Sequence, residues 1–367
     1  MHGTFATSAS ARNSTEPPQS SRSTTDSARQ RRADARACRE AIRIGSRSFH
    51  AASLLLPSRV RESALSLYAF CRLSDDLVDG QGEGVASSGR ATSVLLSRID
   101  AAYADIPFDH PADRAFARTV REHAIPKAVP LALLEGFTWD EQGRRYETIA
   151  DLHEYGMRVA ATVGVMMTLV MGCRDPKVLA RATDLGLAMQ LTNIARDVGE
   201  DARNGRVYLP TSWLGEAGIE PEQLISSPAY DKRLAGVVAR LLDEADRLYR
   251  RASTGVGSLP PGCRGAIGAA LRIYREIGVE IGRASHDSVS QRARTSGRRK
   301  LALAMQAKRD RFFAPALDHS PAMPQVRPLL DAVAAHELPA QAVTGKAARA
   351  LGVLGALTLR ERRLSGL

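Results

Sequence analysis

Two aspartate pairs of identical spacing constrain this 367-residue chain more than any other feature. Asp75 and Asp79 lie in Ser-Asp-Asp-Leu-Val-Asp, and Asp197 and Asp201 lie in Asn-Ile-Ala-Arg-Asp-Val-Gly-Glu-Asp. At i, i+4 both carboxylates of a pair project from one face of a helix, about one turn apart. Like charges so placed cost an isolated helix about 0.2–0.5 kcal/mol, so a compensating cation is expected. A hard divalent ion suits the donors. Mg2+ takes oxygen ligands, keeps several waters and is usually held by one or two carboxylates plus substrate phosphates. Two such faces turned toward each other would grip a diphosphate through metal, as prenyl diphosphate chemistry requires.

A lone D-x-x-x-D on a helix is most often a solvated charged face. The neighbours argue against that here. Gln190, Asn193, Asp197 and Asp201 fall at i, i+3, i+7 and i+11, one continuous polar stripe. Around it stand Leu185, Leu187, Met189, Leu191, Ile194 and Val198, more apolar company than a solvated helix needs. Asp75, Asp76 and Asp79 likewise follow Leu65, Leu67, Tyr68, Phe70 and Leu73, a buried-helix pattern. Acidic stripes on otherwise buried helices are expensive unless metal or hydrogen bonds satisfy them.

The rest of the chain points to an all-α fold, and 367 residues allow either one large helical domain or two. Aromatics make up only 5% of residues, and alternating strand-like runs are nearly absent. Apolar residues recur at helical spacing instead, as in Leu234 to Leu248 and Leu271 to Ile281. The four cysteines are scattered without a C-x-x-C pair, which suggests neither zinc nor a disulfide framework and leaves a cytoplasmic location as the default. The net charge of +11 lacks any nucleic-acid recognition motif beside it, so nucleic acid is not expected as a partner. Peripheral attachment to an anionic membrane surface explains the charge better, since each Lys or Arg near such a surface gains roughly 1 kcal/mol. No segment reaches the roughly 20 apolar residues of a spanning helix; Val159 to Gly172 reads as a buried core helix. No signal peptide is recognisable.

Residues 1–37 are rich in Ser, Thr and Arg and are expected to be disordered. A catalytic domain is expected over 38–313, broken by Gly and Pro clusters near 57, 80–89, 107–111, 126–130, 172–176, 205–210, 226–228 and 255–262. Residues 314–367 read as a Pro-rich link and a C-terminal helical tail, either a packing element or a membrane contact.

Several segments resemble the squalene/phytoene synthase family. They are Gly-Ser-Arg-Ser-Phe-His-Ala-Ala-Ser-Leu-Leu-Leu-Pro (45–57), Leu-Tyr-Ala-Phe-Cys-Arg-Leu-Ser-Asp-Asp-Leu-Val-Asp (67–79) and Met-Gln-Leu-Thr-Asn-Ile-Ala-Arg-Asp-Val-Gly-Glu-Asp (189–201), with Arg-Val-Ala-Ala-Thr-Val-Gly (158–164) and Gly-Arg-Val-Tyr-Leu-Pro (205–210). They occur in the family's order between about residues 40 and 300, and the bacterial carotenoid-pathway members are the nearest in character.

The resemblance implies an all-α, single-domain isoprenoid-synthase helical bundle around a central cavity. There two geranylgeranyl diphosphates would be joined head to head, through prephytoene diphosphate, to 15-cis-phytoene. It implies metal ligation by Asp75, Asp79, Asn193, Asp197 and Asp201, with Mg2+ as the ion and Mn2+ able to substitute. Arg72 matches the family's diphosphate-contacting arginine, with Arg196 and Arg206 as weaker candidates and Asp76 and Gln190 as further substrate-binding candidates. Tyr68 and Phe49 match positions whose aromatic faces could stabilise a carbocation by roughly 0.5–2 kcal/mol. Ser46 and Ser48 flank the cavity, and Val163, Val165, Met166 and Leu169 could wall it against water. Tyr155 and Tyr208 are further substrate-binding candidates.

Each secondary choice has a structural alternative. Phe49 and Tyr68 sit on apolar stripes, Arg72 is spaced to pair with Asp76, Tyr155 could pack helices, and Tyr208 could cap the chain's exit. The chain also departs from the family pattern at Met157 and Ala161, and at His286, where a tyrosine is expected. Condensation of two farnesyl diphosphates to squalene or dehydrosqualene is the competing reading. No Gly-rich nucleotide motif is present, so no nicotinamide cofactor is expected. Other carotenoid-pathway enzymes are conceivable partners.

Overall fold

The computed structural model describes residues 19–78, 90–310 and 315–336. Among them there is no strand. The long elements that build the site are α1 (Gln19–Gly45), α3 (Ser58–Val78), α9 (Pro176–Arg203), α12 (Lys232–Gly255) and α13 (Pro261–Arg283). Between and around them lie α2 (Arg47–Ser53), α4 (Arg90–Tyr103), α5 (Pro111–Glu122), α6 (Ala128–Glu141), α7 (Ile149–Gly156) and α8 (Thr162–Val170). The shorter or later elements are α10 (Thr211–Glu216), α11 (Pro221–Ser226), α14 (Gly297–Asp310) and α15 (Arg327–Ala335). The breaks expected from Gly and Pro within the described residues fall between these helices.

Local chemistry sets the limits of the central helix, α9. Asp175 caps it, its carboxylate accepting from Lys177 N at 2.8 Å, and Pro176 occupies the first turn where no donor is needed. It stops at Gly205, whose φ of +74° suits glycine. Around α9 pack α12, α13, α8 and a π-helical stretch, Met157–Ala161, that joins α7 to α8. These neighbours come very close. A Cβ on Gly186 would lie 2.6 Å from Ala160 O, and one on Gly164 would lie 2.6 Å from Ala182 O. Glycine at both crossings is therefore a packing requirement. Departures Met157 and Ala161 are both buried in this region, as ordinary core.

The N-terminal end of the described residues differs from expectation. Residues 19–37 belong to α1, so the disorder expected across 1–37 fails for this part. Low apolar content misleads there because ion pairs do the holding: buried Asp34 meets Arg114 at 2.7 Å and Arg118 at 2.8 Å, both from α5. At the other end, Val326, Leu329 and Val333 join the main core, so residues 315–336 pack against the bundle. The apolar stretch 350–359 lies outside the described residues.

Candidate active site

A cavity of about 420 Å³ runs between α2, α3, α8, α9 and α13. On α3 the residues that reach it are Ala64, Leu67, Tyr68, Cys71 and Asp75; on α9 they include Ala182, Leu185, Met189, Gln190 and Asn193. Both sets follow helical spacing, so each is one face of its helix. Both change chemistry in the same direction, apolar in the N-terminal half apart from Arg181 and polar toward the C-terminus. The α9 face continues past the cavity into Asp197 and Asp201, which are partly exposed while Ile194 and Val198 beside them are buried. From Val178 to Asn193 the lining spans about 22 Å at 1.5 Å per residue.

The acidic end is electrostatically strained. Asp201 lies in the last turn of α9, at the negative end of its helix dipole, an unfavourable placement by roughly 0.3–1 kcal/mol. Arginines answer it. Asp197 accepts from Arg196 Nε at 2.8 Å and from Arg292 at 2.7 and 3.1 Å. Burial opposes its ionisation, yet these two guanidiniums outweigh that and hold its carboxyl below the usual range. Asp201 has no comparable relief. Burial, then the charge of Asp197, pushes it up to about 7, against the weaker pull of Arg206. Arg72 forms an ion pair with Asp76 at 2.6 Å, the alternative pairing that the sequence allows.

Several expected site residues do line the cavity: Phe49, Tyr68, Asp75, Val163, Gln190 and Asn193. Phe49 packs against Tyr274 of α13 with the rings tilted by 31° and their centroids 5.1 Å apart, and lies 6.4 Å from the ring of Tyr68. Asn193 Oδ1 is buried without a hydrogen-bond partner.

Others sit elsewhere. Tyr155 and Tyr208 are not cavity lining; both donate to the carboxylate of Asp140 on α6, at 2.9 and 2.8 Å, in a stack completed by Tyr146. That cluster adjoins the acidic end, since Asp140 adds to the upward push on Asp201. Ser46 caps α2, accepting from Phe49 N at 3.3 Å. Val165, Met166 and Leu169 face the core; the wall is made by Val159, Val163 and Met167. His286 lies in a left-handed turn, φ +58°, beside a separate groove between α12, α13 and α14. Asp79 lies outside the described residues, as does the side chain of Ser48.

Three residues escaped sequence reasoning. Arg292 reaches Asp197 from an irregular segment with no periodicity to flag it. Tyr274 is the sole aromatic on α13, a weak signal. Asp140 stands out only once its two tyrosines are brought to it.

The donor set fits a hard divalent metal. It offers oxygen alone, and the orphaned Asn193 Oδ1 is such a donor beside the carboxylates. Among the described residues no three carboxylate, His or Cys side chains converge on one point. An ion here would complete its shell with water and substrate phosphate, as Mg2+ commonly does.

A model of the squalene/phytoene synthase family matches residues 42–302. The chain belongs to the squalene/phytoene synthase family. Its members act on prenyl diphosphates and generally use a divalent metal. The chain is 49% identical to the phytoene synthase of Cereibacter sphaeroides, over 91% of this chain and 96% of that protein. It is 45% identical to the 15-cis-phytoene synthase of Paracoccus sp., over 72% of this chain and 87% of that protein. A crystal structure of a dehydrosqualene synthase with ligand superposes with TM-score 0.69 at 28% identity, over 77% of this chain and 97% of that one. The likeness places the chain among prenyltransferase-type enzymes and agrees with the all-α isoprenoid-synthase fold.

Proposed function

We propose that this chain is a phytoene synthase, joining two geranylgeranyl diphosphates head to head into 15-cis-phytoene with release of two diphosphates. The observation that carries the reading is the shared cavity face of α3 and α9, apolar along most of its length and acidic at one end. The identities of 45 and 49% to proteins named as phytoene synthases favour the longer substrate.

Asp75, Asn193, Asp197 and Asp201, with Asp79, would hold the metal. Bound metal, Mg2+ with Mn2+ able to substitute, supplies Lewis-acid neutralisation of the leaving diphosphate. Arg72, Arg196, Arg206 and Arg292 sit where a diphosphate would draw them from their carboxylates, replacing one anion by another. Phe49, Tyr68 and Tyr274 present aromatic faces to the space where the allylic cation forms. Such faces stabilise a cation by roughly 0.5–2 kcal/mol. The apolar wall of Val163, Leu185 and Met189 keeps water from that cation. In the first step the C1–O bond of one substrate breaks, the C2–C3 double bond of the other captures C1, and proton loss closes the cyclopropane of prephytoene diphosphate. In the second its diphosphate leaves, the ring rearranges, and loss of a proton gives phytoene.

A peripheral membrane contact in the cytoplasm belongs to the same reading, because the hydrocarbon product is insoluble in water. No helix among the described residues is long and apolar enough to cross a membrane. The outer face of α14 exposes Leu301 and Met305 among Arg298, Lys308 and Arg309, a pattern suited to an anionic interface.

The test is a product assay on purified protein with geranylgeranyl diphosphate or farnesyl diphosphate, Mg2+ or EDTA, and no NADPH. A metal-dependent C40 hydrocarbon is expected. A C30 product alone would move the reading to dehydrosqualene synthesis, and no product from either would end it.

A further inference from the structure

At the cavity end away from the aspartates lies a fully buried cation that the chemistry above does not use. Arg181 of α9 is 1% exposed and lines the apolar end of the cavity. Its Nε lies 3.0 Å from Asp184 Oδ2, and its Nη1 lies 2.8 Å from Asp318 Oδ2. The guanidinium also donates to Asp318 O at 3.3 Å and Ser320 O at 3.2 Å. Arg251 of α12 adds contacts to Asp184 at 3.1 Å and to Pro321 O at 3.0 Å. Asp318 N donates to Thr254 Oγ1 at 3.0 Å. The segment 317–321 is thus a strap fastened to α9 and α12 at several points.

The strap bears on the cavity through Leu317. It packs against the cluster of Leu56, Met171, Val178, Leu259, Cys263 and Ala266, and all of these but Cys263 wall the cavity. Gly255 makes room for the hub, since a Cβ there would fall 2.5 Å from Arg181 Cβ. A buried ion cluster gains little stability over a well-packed apolar one, whereas its geometry is sharply defined. Such a device holds a wall in place.

We propose that Arg181 is a positioning residue which, through the strap, fixes the depth of the cavity and so the length of prenyl chain it accepts. The inference rests on the prenyl diphosphate reading above. With the strap pinned, the wall of Met171, Val178 and Leu259 cannot retreat, and a chain one isoprene longer meets it. With the strap loosened, the same wall gains room to move outward.

The test uses the full-length protein and two variants, Leu317→Ala and Asp318→Ala. Each is assayed by kcat/KM on the prenyl diphosphate the wild type prefers and on the one longer by an isoprene unit. Thermal melts run alongside. The longer-to-preferred ratio is expected to rise about tenfold, the scale on which an apolar pocket discriminates by size. A hub that serves stability alone would lower Tm and leave the ratio within about twofold of wild type, which overturns the inference. Leu317 is only partly buried and its replacement leaves every ion pair in place, so this variant decides the matter if Asp318→Ala does not fold. A wild type that turns over no prenyl diphosphate would overturn the catalytic reading and this inference with it. An active wild type with unmoved ratios would overturn only the inference.

Discussion

Helix α9 carries two acid–arginine clusters, and they differ in what closes around them. In the C-terminal half Asp197 is held by Arg196 and by Arg292, whose side chain is 44% exposed. In the N-terminal half Arg181 and Asp184 are each 1% exposed and are locked by Arg251, Thr254 and the strap. Composition does not separate the two clusters; closure does. The first leaves charges that an incoming diphosphate and metal can rearrange, and an orphaned Asn193 Oδ1 beside them. The second is closed in by its own chain: Arg181 and Arg251 reach the carbonyls and carboxylates around them, although Arg181 Nε and Asp184 Oδ1 are left without hydrogen-bond partners. Reactivity is expected where the charges stay open to solvent, and shape where they are closed in.

The contrast can be broken most sharply by Asp197→Ala. Turnover should fall by at least about a thousandfold, equivalent to roughly 4 kcal/mol of transition-state stabilisation, with the melting temperature little changed. Steady-state product formation and a thermal melt check both halves of that statement. Arg181→Met should give the reverse profile. Removing one partner of a buried cluster costs about 3–5 kcal/mol, so urea unfolding should show a large loss of stability. If Arg181→Met instead kept its stability and lost turnover, the two clusters would have been read the wrong way round.

Smaller changes sharpen the picture. Arg292→Ala removes the more exposed of the two guanidiniums on Asp197. It should raise KM for the diphosphate substrate about tenfold and leave the fold intact, as seen by substrate-dependence curves and circular dichroism. Thr254→Val removes a single bond to the strap and should cost about 1 kcal/mol, read as a lower urea midpoint with unchanged slope.

Much of the polar end of the cavity was legible because it obeys helical periodicity. The stripe from Gln190 to Asp201, and Tyr68 with Asp75, are spaced by turns of one helix, and spacing is what a sequence displays. The wall of the cavity was harder. A continuous apolar run such as 163–170 has no phase of its own, and the π-helical stretch before it shifts the register, so Val165, Met166 and Leu169 were assigned to the wrong face. Arg292 was invisible because it meets Asp197 from 95 positions away along an irregular segment. The Arg181 hub was hidden for a similar reason. An arginine on a helix reads as solvated, and only the return of the strap, 137 positions later, buries it. Tyr155 and Tyr208 were expected to bind substrate; both meet Asp140 instead, and nothing in their spacing announces that partner.

The central claim is that the acidic ends of α3 and α9 together hold a metal-bound diphosphate. Equilibrium binding of a thiolodiphosphate analogue of geranylgeranyl diphosphate, which resists ionisation, tests it most directly. Wild type, Asp75→Ala and Asp197→Ala would be titrated with Mg2+ and with EDTA. Binding that depends on Mg2+ in the wild type, and that weakens at least about tenfold in both variants, is the predicted result. Equal affinity with and without metal, or no loss in either variant, would contradict the account.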